Sequence, residues 1–322
     1  MKPTVDKLKE IAAETLVGKK AELILGWQKG SFWWQSFPAF IEKQEELDSL
    51  TWDPFCVANL SIYLLEELKR KKKVALFVKG CDALAINRLL QDKCIEREQV
   101  LLYGLPCKGM ADRAKIEAAV GEELSIREVR RDGDEFIVLT DNGEQHLDAS
   151  NYLLDKCLSC RYPNPIVYDQ LLAQEIDTFP VKERFQSVVK LENSTFEERY
   201  LYWSGHFNRC LRCFACRNVC PACNCRECIF DQNEPRWLGK ANILSENQFC
   251  HLIRAYHVAG RCIDCGECQR VCPMDIPLQE LNRKLIKDLN ELYGDYDAGT
   301  DPEEPQPLGT FKLDDPASFS ES

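Results

Sequence analysis

The chain has 322 residues, of which 18 are cysteine, and 29% of its residues are charged; a chain of this length accommodates about two domains. No apolar run approaches the roughly 20 residues needed to cross a bilayer, and no apolar stretch follows the charged N-terminus as a secretory signal would, so neither membrane insertion nor export is expected. The net charge of −11, from 41 basic and 52 acidic residues, disfavours nucleic acid as a partner, because phosphates attract basic surfaces.

In chain order, residues 4–17 have helical spacing, and 21–25 form a short apolar run. Residues 59–70 place Leu60, Tyr63, Leu64 and Leu68 on one helical face. The uninterrupted apolar run 74–78 reads as a buried strand, 82–91 as a helix and 100–103 as a second strand. Strand, helix and strand in this order predict a βαβ unit with parallel strands. Residues 127–147 alternate around Asp132-Gly133, a hairpin signal. Further helices are predicted over 246–257 and 278–292, joined to the first half by a helical link at 165–209. The expected architecture is an α/β domain over 1–180, an α+β two-cluster ferredoxin-like domain over 181–294, and an extended acidic, Pro-rich tail over 295–322, in which Leu308, Phe311 and Leu313 can lie along the surface.

Without an export signal the expected compartment is the reducing cytoplasm, where disulfides do not persist and dense cysteine points to metal or redox chemistry. Twelve of the cysteines fall between Cys210 and Cys272. They include Cys210-x2-Cys213-x2-Cys216-x3-Cys220-Pro221 and, again, Cys262-x2-Cys265-x2-Cys268-x3-Cys272-Pro273. Each is the C-x2-C-x2-C-x3-C-P run in which three thiolates wrap one 4Fe-4S cluster and the fourth cysteine ligates the other cluster. The expected sets are therefore Cys210, Cys213, Cys216 and Cys272 for one cluster, and Cys262, Cys265, Cys268 and Cys220 for the second. Zinc is the competing metal for C-x2-C pairs, but zinc ribbons do not call for two identical four-cysteine runs. Residues 205–277 thus resemble the bacterial two-cluster ferredoxin family.

The interval between the runs is longer than in a minimal ferredoxin. It contains Cys223-x-Cys225-x2-Cys228, which stands open between an additional site, with Cys56 or Cys250 as fourth ligand, and structural thiols. In the first half, both predicted strands end at a cysteine, Cys81 and Cys107, on the edge where open α/β sheets collect ligands. With the pair Cys157 and Cys160 these make four thiolates, enough for a third cluster. Neither a G-x-G-x-x-G nor a Walker A motif is present. None of the four histidines forms a zinc motif, and His206, before the first run, reads as a packing residue.

Val78-Lys79-Gly80-Cys81-Asp82, Gly104-Leu105-Pro106-Cys107 and Lys156-Cys157-Leu158-Ser159-Cys160-Arg161 resemble the beta subunit of the deazaflavin-coenzyme hydrogenase/dehydrogenase family, over about residues 15–175. That resemblance implies a 4Fe-4S cluster on Cys81, Cys107, Cys157 and Cys160, and FAD, whose residues it does not locate on this chain. Taken with the C-terminal runs, it also implies partner subunits of an anaerobic redox complex: a heterodisulfide-reductase-like flavin subunit, a hydrogenase or a dehydrogenase. The function expected is an iron–sulfur electron-transfer subunit. The alternatives are a flavin-containing reductase acting on a deazaflavin or similar hydride carrier, and a zinc-stabilised scaffold.

Overall fold

The computed structural model describes residues 4–121, 123–177 and 182–310, which divide into two compact units. The first comprises residues up to 84 together with 95–182; the second comprises 85–94 and the chain from 183 onward.

In the first unit, helix α1 (Val5–Val17) starts where the Thr4 hydroxyl accepts from the Lys7 amide at 3.3 Å. It buries Leu8, Ile11, Ala12 and Thr15. Strands β1 (Leu23–Lys29), β2 (Ser36–Ile41) and β3 (Leu50–Thr51) follow. Next come a short helix α2 (Leu64–Glu67), β4 (Val74–Val78), helix α3 (Gly80–Gln91) and β5 (Val100–Gly104). Helix α4 (Arg113–Val120) leads into a meander of β6 (Ile126–Asp132), β7 (Glu135–Thr140) and β8 (Gly143–Asp148), and then come α5 (Asp155–Leu158) and β9 (Gln170–Leu171).

The main sheet has the order β2-β1-β4-β5-β9, with β3 also pairing β1. Strands β1, β4, β5 and β9 are mutually parallel, with Val78 opposite Gly104. Every residue of β4 is buried, as a parallel strand covered on both faces requires. The predicted βαβ unit is therefore present, and its strands end side by side at Cys81 and Cys107. The helix expected over 59–70 is shorter. The Leu60 amide donates to Asp82 Oδ1 (2.8 Å) and the Ser61 amide to Asn59 Oδ1 (3.1 Å), so this stretch begins as a tight turn whose donors are already committed. The 127–147 region has a third strand, because Asn142-Gly143, with Gly143 at positive φ, turns the chain again.

In the second unit, α6 (Gln186–Glu192) precedes α7 (Phe196–Asn208), which opens with a capping box between Thr195 and Glu198. Then follow α8 (Ala215–Asn218), α9 (Leu244–His257), α10 (Glu267–Arg270) and α11 (Leu278–Tyr293). The core joins Phe207, Cys210, Cys268, Ile276 and Leu278. Residues 85–94 pair within this unit: Asp92 takes Arg88, Arg261 (2.7 Å) and Asn224 (2.8 Å). Part of the expected tail is tied down too. Asp297 meets Arg184 at 2.5 Å, Tyr296 Oη donates to Gly260 O at 3.1 Å, and Asn87 Nδ2 donates to Gly299 O at 3.0 Å. Leu308 is exposed; Phe311 and Leu313 lie outside the described residues. Among the described residues no helix is long and apolar enough to cross a membrane.

Candidate metal centres

The two C-terminal runs fold alike. In each, the residue two after the first cysteine takes a left-handed conformation (Arg212, φ 50°; Asp264, φ 54°), and so does the residue four after it (Phe214, φ 59°; Gly266, φ 67°). These reversals curl the loop so that its amides turn inward. The Arg212 amide donates to Cys210 Sγ at 3.3 Å, and the Asp264 amide bonds Cys262 in the same way. Short helices α8 and α10 then carry Cys216 and Cys268.

Each loop walls a cavity. The first, about 400 Å³ with its mouth, is lined by Cys210, Cys213, Cys216 and Cys272, along with Leu211, Phe214, Cys250, His251, Met274 and Ile276. The second, about 360 Å³, is lined by Cys262, Cys265, Cys268 and Cys220, with Asp264, Glu267, Gln279 and Asn282. Each cavity therefore combines three cysteines of one run with the last cysteine of the other, the donor set a cubane takes. Burial pushes Cys216 up to about 11 and Cys262 higher still. These thiols stay protonated until a metal displaces the proton, so loading releases protons. Within the second set, a hydrogen bond with Cys223 holds Cys220 below the ordinary thiol range.

The four N-terminal cysteines all lie in the first unit, where Cys107 neighbours Cys157 and Cys81 neighbours Cys160. Cys81 opens α3, and Cys107 follows β5 with its amide donating to Pro163 O at 2.8 Å. Cys157 lies on α5 and accepts from the Met110 amide at 3.4 Å. Burial raises Cys107 to about 11, the neighbouring Cys157 adds to it, and Lys79 opposes it; Cys81 likewise feels Cys160. Glycine is required at residue 80, since a Cβ there would lie 1.8 Å from the Tyr162 carbonyl oxygen. The loop bearing Cys157 and Cys160 can close on β4 only because that atom is missing.

Sequence reasoning missed the charge beneath this site. Lys79 is 2% exposed. Its ammonium lies 3.9 Å from the Trp27 ring centroid, 3.0 Å from Asp82 Oδ2 and 3.1 Å from Ala58 O. Burial works against that charge, but Asp82, Cys81 and Cys107 outweigh it and hold Lys79 above the ordinary lysine value. The available signal was a Lys and an Asp flanking Gly80-Cys81 immediately after a fully apolar strand.

Beside Cys107 the first unit has a larger open cavity of about 1780 Å³ counting its mouth, walled by Trp52, Pro106, Cys107, Met110, Lys108, Arg130 and Arg131, with Asp53, Glu128, Glu175 and Asp177 also on its walls.

The remaining thiols behave individually. Cys56 is buried in the first unit, where it donates to Thr51 O and accepts from the Asp53 amide at 3.3 Å. Cys223 pairs with Cys220, Cys228 bonds Arg217, Cys225 is exposed, and Cys250 lines the first cavity. Cys94 is exposed and donates to Asp92 O. Among the described residues no three His, Cys, Asp or Glu side chains converge as they would on a single metal ion. His206 stacks edge-on against Tyr202 at 4.6 Å, a packing role.

Residues 206–276 match the 4Fe-4S dicluster domain family. The chain is similar to F420-dependent formate dehydrogenase subunit beta of Methanocaldococcus jannaschii, at 24% identity over 88% of this chain and 88% of that protein. It is also similar to F420-dependent formate dehydrogenase 1 subunit beta of Methanococcus maripaludis, at 23% identity over 89% of this chain and 88% of that protein. A chain of the F420-reducing [NiFe] hydrogenase complex of Methanosarcina barkeri aligns with a TM-score of 0.37 and 17% identity, covering 48% of this chain and 58% of that one.

Proposed function

We propose that this chain is the iron–sulfur electron-transfer subunit of a cytoplasmic, anaerobic oxidoreductase complex. In this reading two 4Fe-4S clusters occupy the cysteine-lined cavities of the second unit, and a third sits on Cys81, Cys107, Cys157 and Cys160. The observation that carries it is the crossed lining of the two cavities, each holding three thiols of its own run and one of the other. Clusters bound there supply centres that accept and release single electrons. The protein's own contribution is position, thiolate number, exclusion of water and the hydrogen bonds and charges around sulfur. No acid, base or nucleophile is needed for a relay.

The large cavity beside Cys107 favours a further component, FAD. It is big enough for a dinucleotide, and Trp52 and the cations Lys108, Arg130 and Arg131 line it alongside Asp53, Glu128, Glu175 and Asp177. Residues of this lining would hold the flavin, which would supply two-electron chemistry toward a hydride carrier and one-electron chemistry toward an iron–sulfur centre. The names of the relatives support a deazaflavin as that carrier and a dehydrogenase catalytic subunit as partner. A heterodisulfide-reductase-like flavin subunit or a hydrogenase fits the same relay.

Anaerobic purification with iron, sulfide and flavin quantification tests the reading. About twelve iron and twelve sulfide per chain are expected, four of each per cluster. Stoichiometric zinc with iron near zero would overturn it in favour of a scaffold, and a flavin-free chain that does not turn over a deazaflavin leaves the relay alone. The third centre has its own test. Gly80→Ala should drive the Cys157 loop off β4 at about 3 kcal/mol, the upper end for overpacking, and remove about four iron while the other clusters remain. Full iron in that variant would exclude the N-terminal set.

A further inference from the structure

Helix α9 runs past both cysteine-lined cavities, and the buried face of this helix carries three polar side chains with an atom that has no partner, Asn247, His251 and Arg254, of which the last two concern the cavities. Arg254 is 4% exposed. Its Nη2 donates to the Cys216 carbonyl at 3.1 Å, it hydrogen-bonds Cys268, and its Nε has no partner. Among the described residues no carboxylate pairs with it. The groups facing its charge are the thiols of Cys268, Cys220, Cys223 and Cys216. Those thiols come from both ligand sets. No carboxylate among the described residues offsets this buried guanidinium, and Cys220, held below the ordinary thiol range, is the one of these four thiols that offers it negative charge without a metal. Four thiolates around a cubane leave each loaded centre anionic, and that supplies the missing counter-charge.

One turn earlier, His251 is 3% exposed and lines only the first cavity. Its ring stacks on Phe207 at 4.8 Å and 14°, and neither ring nitrogen has a partner. An imidazole always has at least one N–H to donate, and the cavity that His251 lines is also lined by Cys210, Cys213, Cys216 and Cys272.

We infer that Arg254 is a counter-charge shared by the two clusters, while His251 is a hydrogen-bond donor to the first cluster alone, so that one helix sets both reduction potentials and the gap between them. This rests on the reading that the eight cysteines hold two clusters. Reduction of either cluster adds one electron with no bond made and no proton moved, so each reduced state carries one more negative charge. A fixed positive charge or an N–H donor favours that state and raises the potential; removing it lowers the potential.

The test is a redox titration of the full-length, anaerobically loaded chain, poised with dithionite and followed by electron paramagnetic resonance after an iron count. Arg254→Met should lower both dicluster potentials, and Arg254→Lys should leave both near the wild-type values. His251→Phe keeps the ring stack and should lower only the potential whose signal Cys216→Ala abolishes. Wild-type protein with fewer than two clusters in the second unit would fail the underlying reading. Loaded Arg254→Met with either potential unmoved, or loaded His251→Phe that shifts both potentials or neither, would overturn the inference and leave that reading standing. Arg254→Lys decides the case in which Arg254→Met does not load: this charge-keeping variant should take up both clusters and hold both potentials near wild type. A loaded Arg254→Lys with either potential moved would make Arg254 a packing residue and overturn the inference.

Discussion

The two cysteine runs share a spacing, a pair of left-handed reversals and a short helix, yet their surroundings differ. The first cavity is walled by Leu211, Phe214, Met274 and Ile276, and the second by Asp264, Glu267, Gln279 and Asn282. In the second, Asn282 Nδ2 donates to Cys268 Sγ at 3.5 Å, and Asp264 is held by Arg184 (2.8 Å) and Arg283 (2.9 Å). Ligand number is therefore written into the local spacing, whereas the potential is written into the walls, through burial and hydrogen bonds to sulfur. Leaving His251 aside, the more apolar walls of the first site favour the lower potential.

The sharpest way to break this comparison is to swap the effects of the outlying cysteines. Cys220→Ala should remove the second cluster and spare the first, and Cys272→Ala should do the reverse, each with loss of about four iron. An uncrossed outcome, in which each substitution removes the cluster of its own run, would refute the ligand sets.

A smaller effect is expected at the entrance to the second run. Arg261, the residue before Cys262, is held by Asp92 and Asn224, both at 2.7 Å, and Asp92 also takes the buried Arg88. Burial pushes the Asp92 carboxyl up, but hydrogen bonds from Arg261, Arg88 and Asn224 outweigh it and leave it below the ordinary value. Its contribution is present above the unfolded carboxylate value, near 4, and is lost as pH falls further. Asp92→Asn leaves the buried Arg88 unpaired and should cost about 3 kcal/mol in denaturant unfolding at neutral pH. The variant should also show a flatter loss of stability below about pH 4.

The paired reversals give a milder contrast. Gly266→Ala puts a side chain at φ 67° and should cost about 1 kcal/mol. Phe214→Gly relieves the same strain in the first loop but forfeits the stack on Phe230 and the Arg217 guanidinium 4.6 Å from its ring. Its melting temperature should therefore change little. The smallest effect is at Asn282: Asn282→Leu should lower the second potential and leave the first in place, which redox titration reads directly.

Much of this was legible in the sequence. The all-apolar run 74–78, with its helix and second strand, could be read as parallel because a strand buried on both faces has no polar alternation. The cysteine runs could be read because three thiolates around one cubane demand fixed short gaps. What could not be read depends on residues far apart in sequence. Lys79 looks like a surface lysine until β1 brings Trp27 over it. Arg254 and His251 look like ordinary helix positions until α9 is packed against both loops. Residues 295–300 have the composition of a tail, yet Asp297 is anchored by Arg184.

By itself the sequence determined where thiolates are dense, how many each loop can offer and that 74–78 and 100–103 are neighbouring parallel strands, because spacing and hydrophobic period act over a few residues. The tertiary structure alone decided which buried charges face the sulfurs, that Gly80 must give way to the Tyr162 carbonyl, and that the two matching loops sit in unlike walls. Burial and charge pairing are properties of packed neighbours, and packing joins segments that the chain keeps apart.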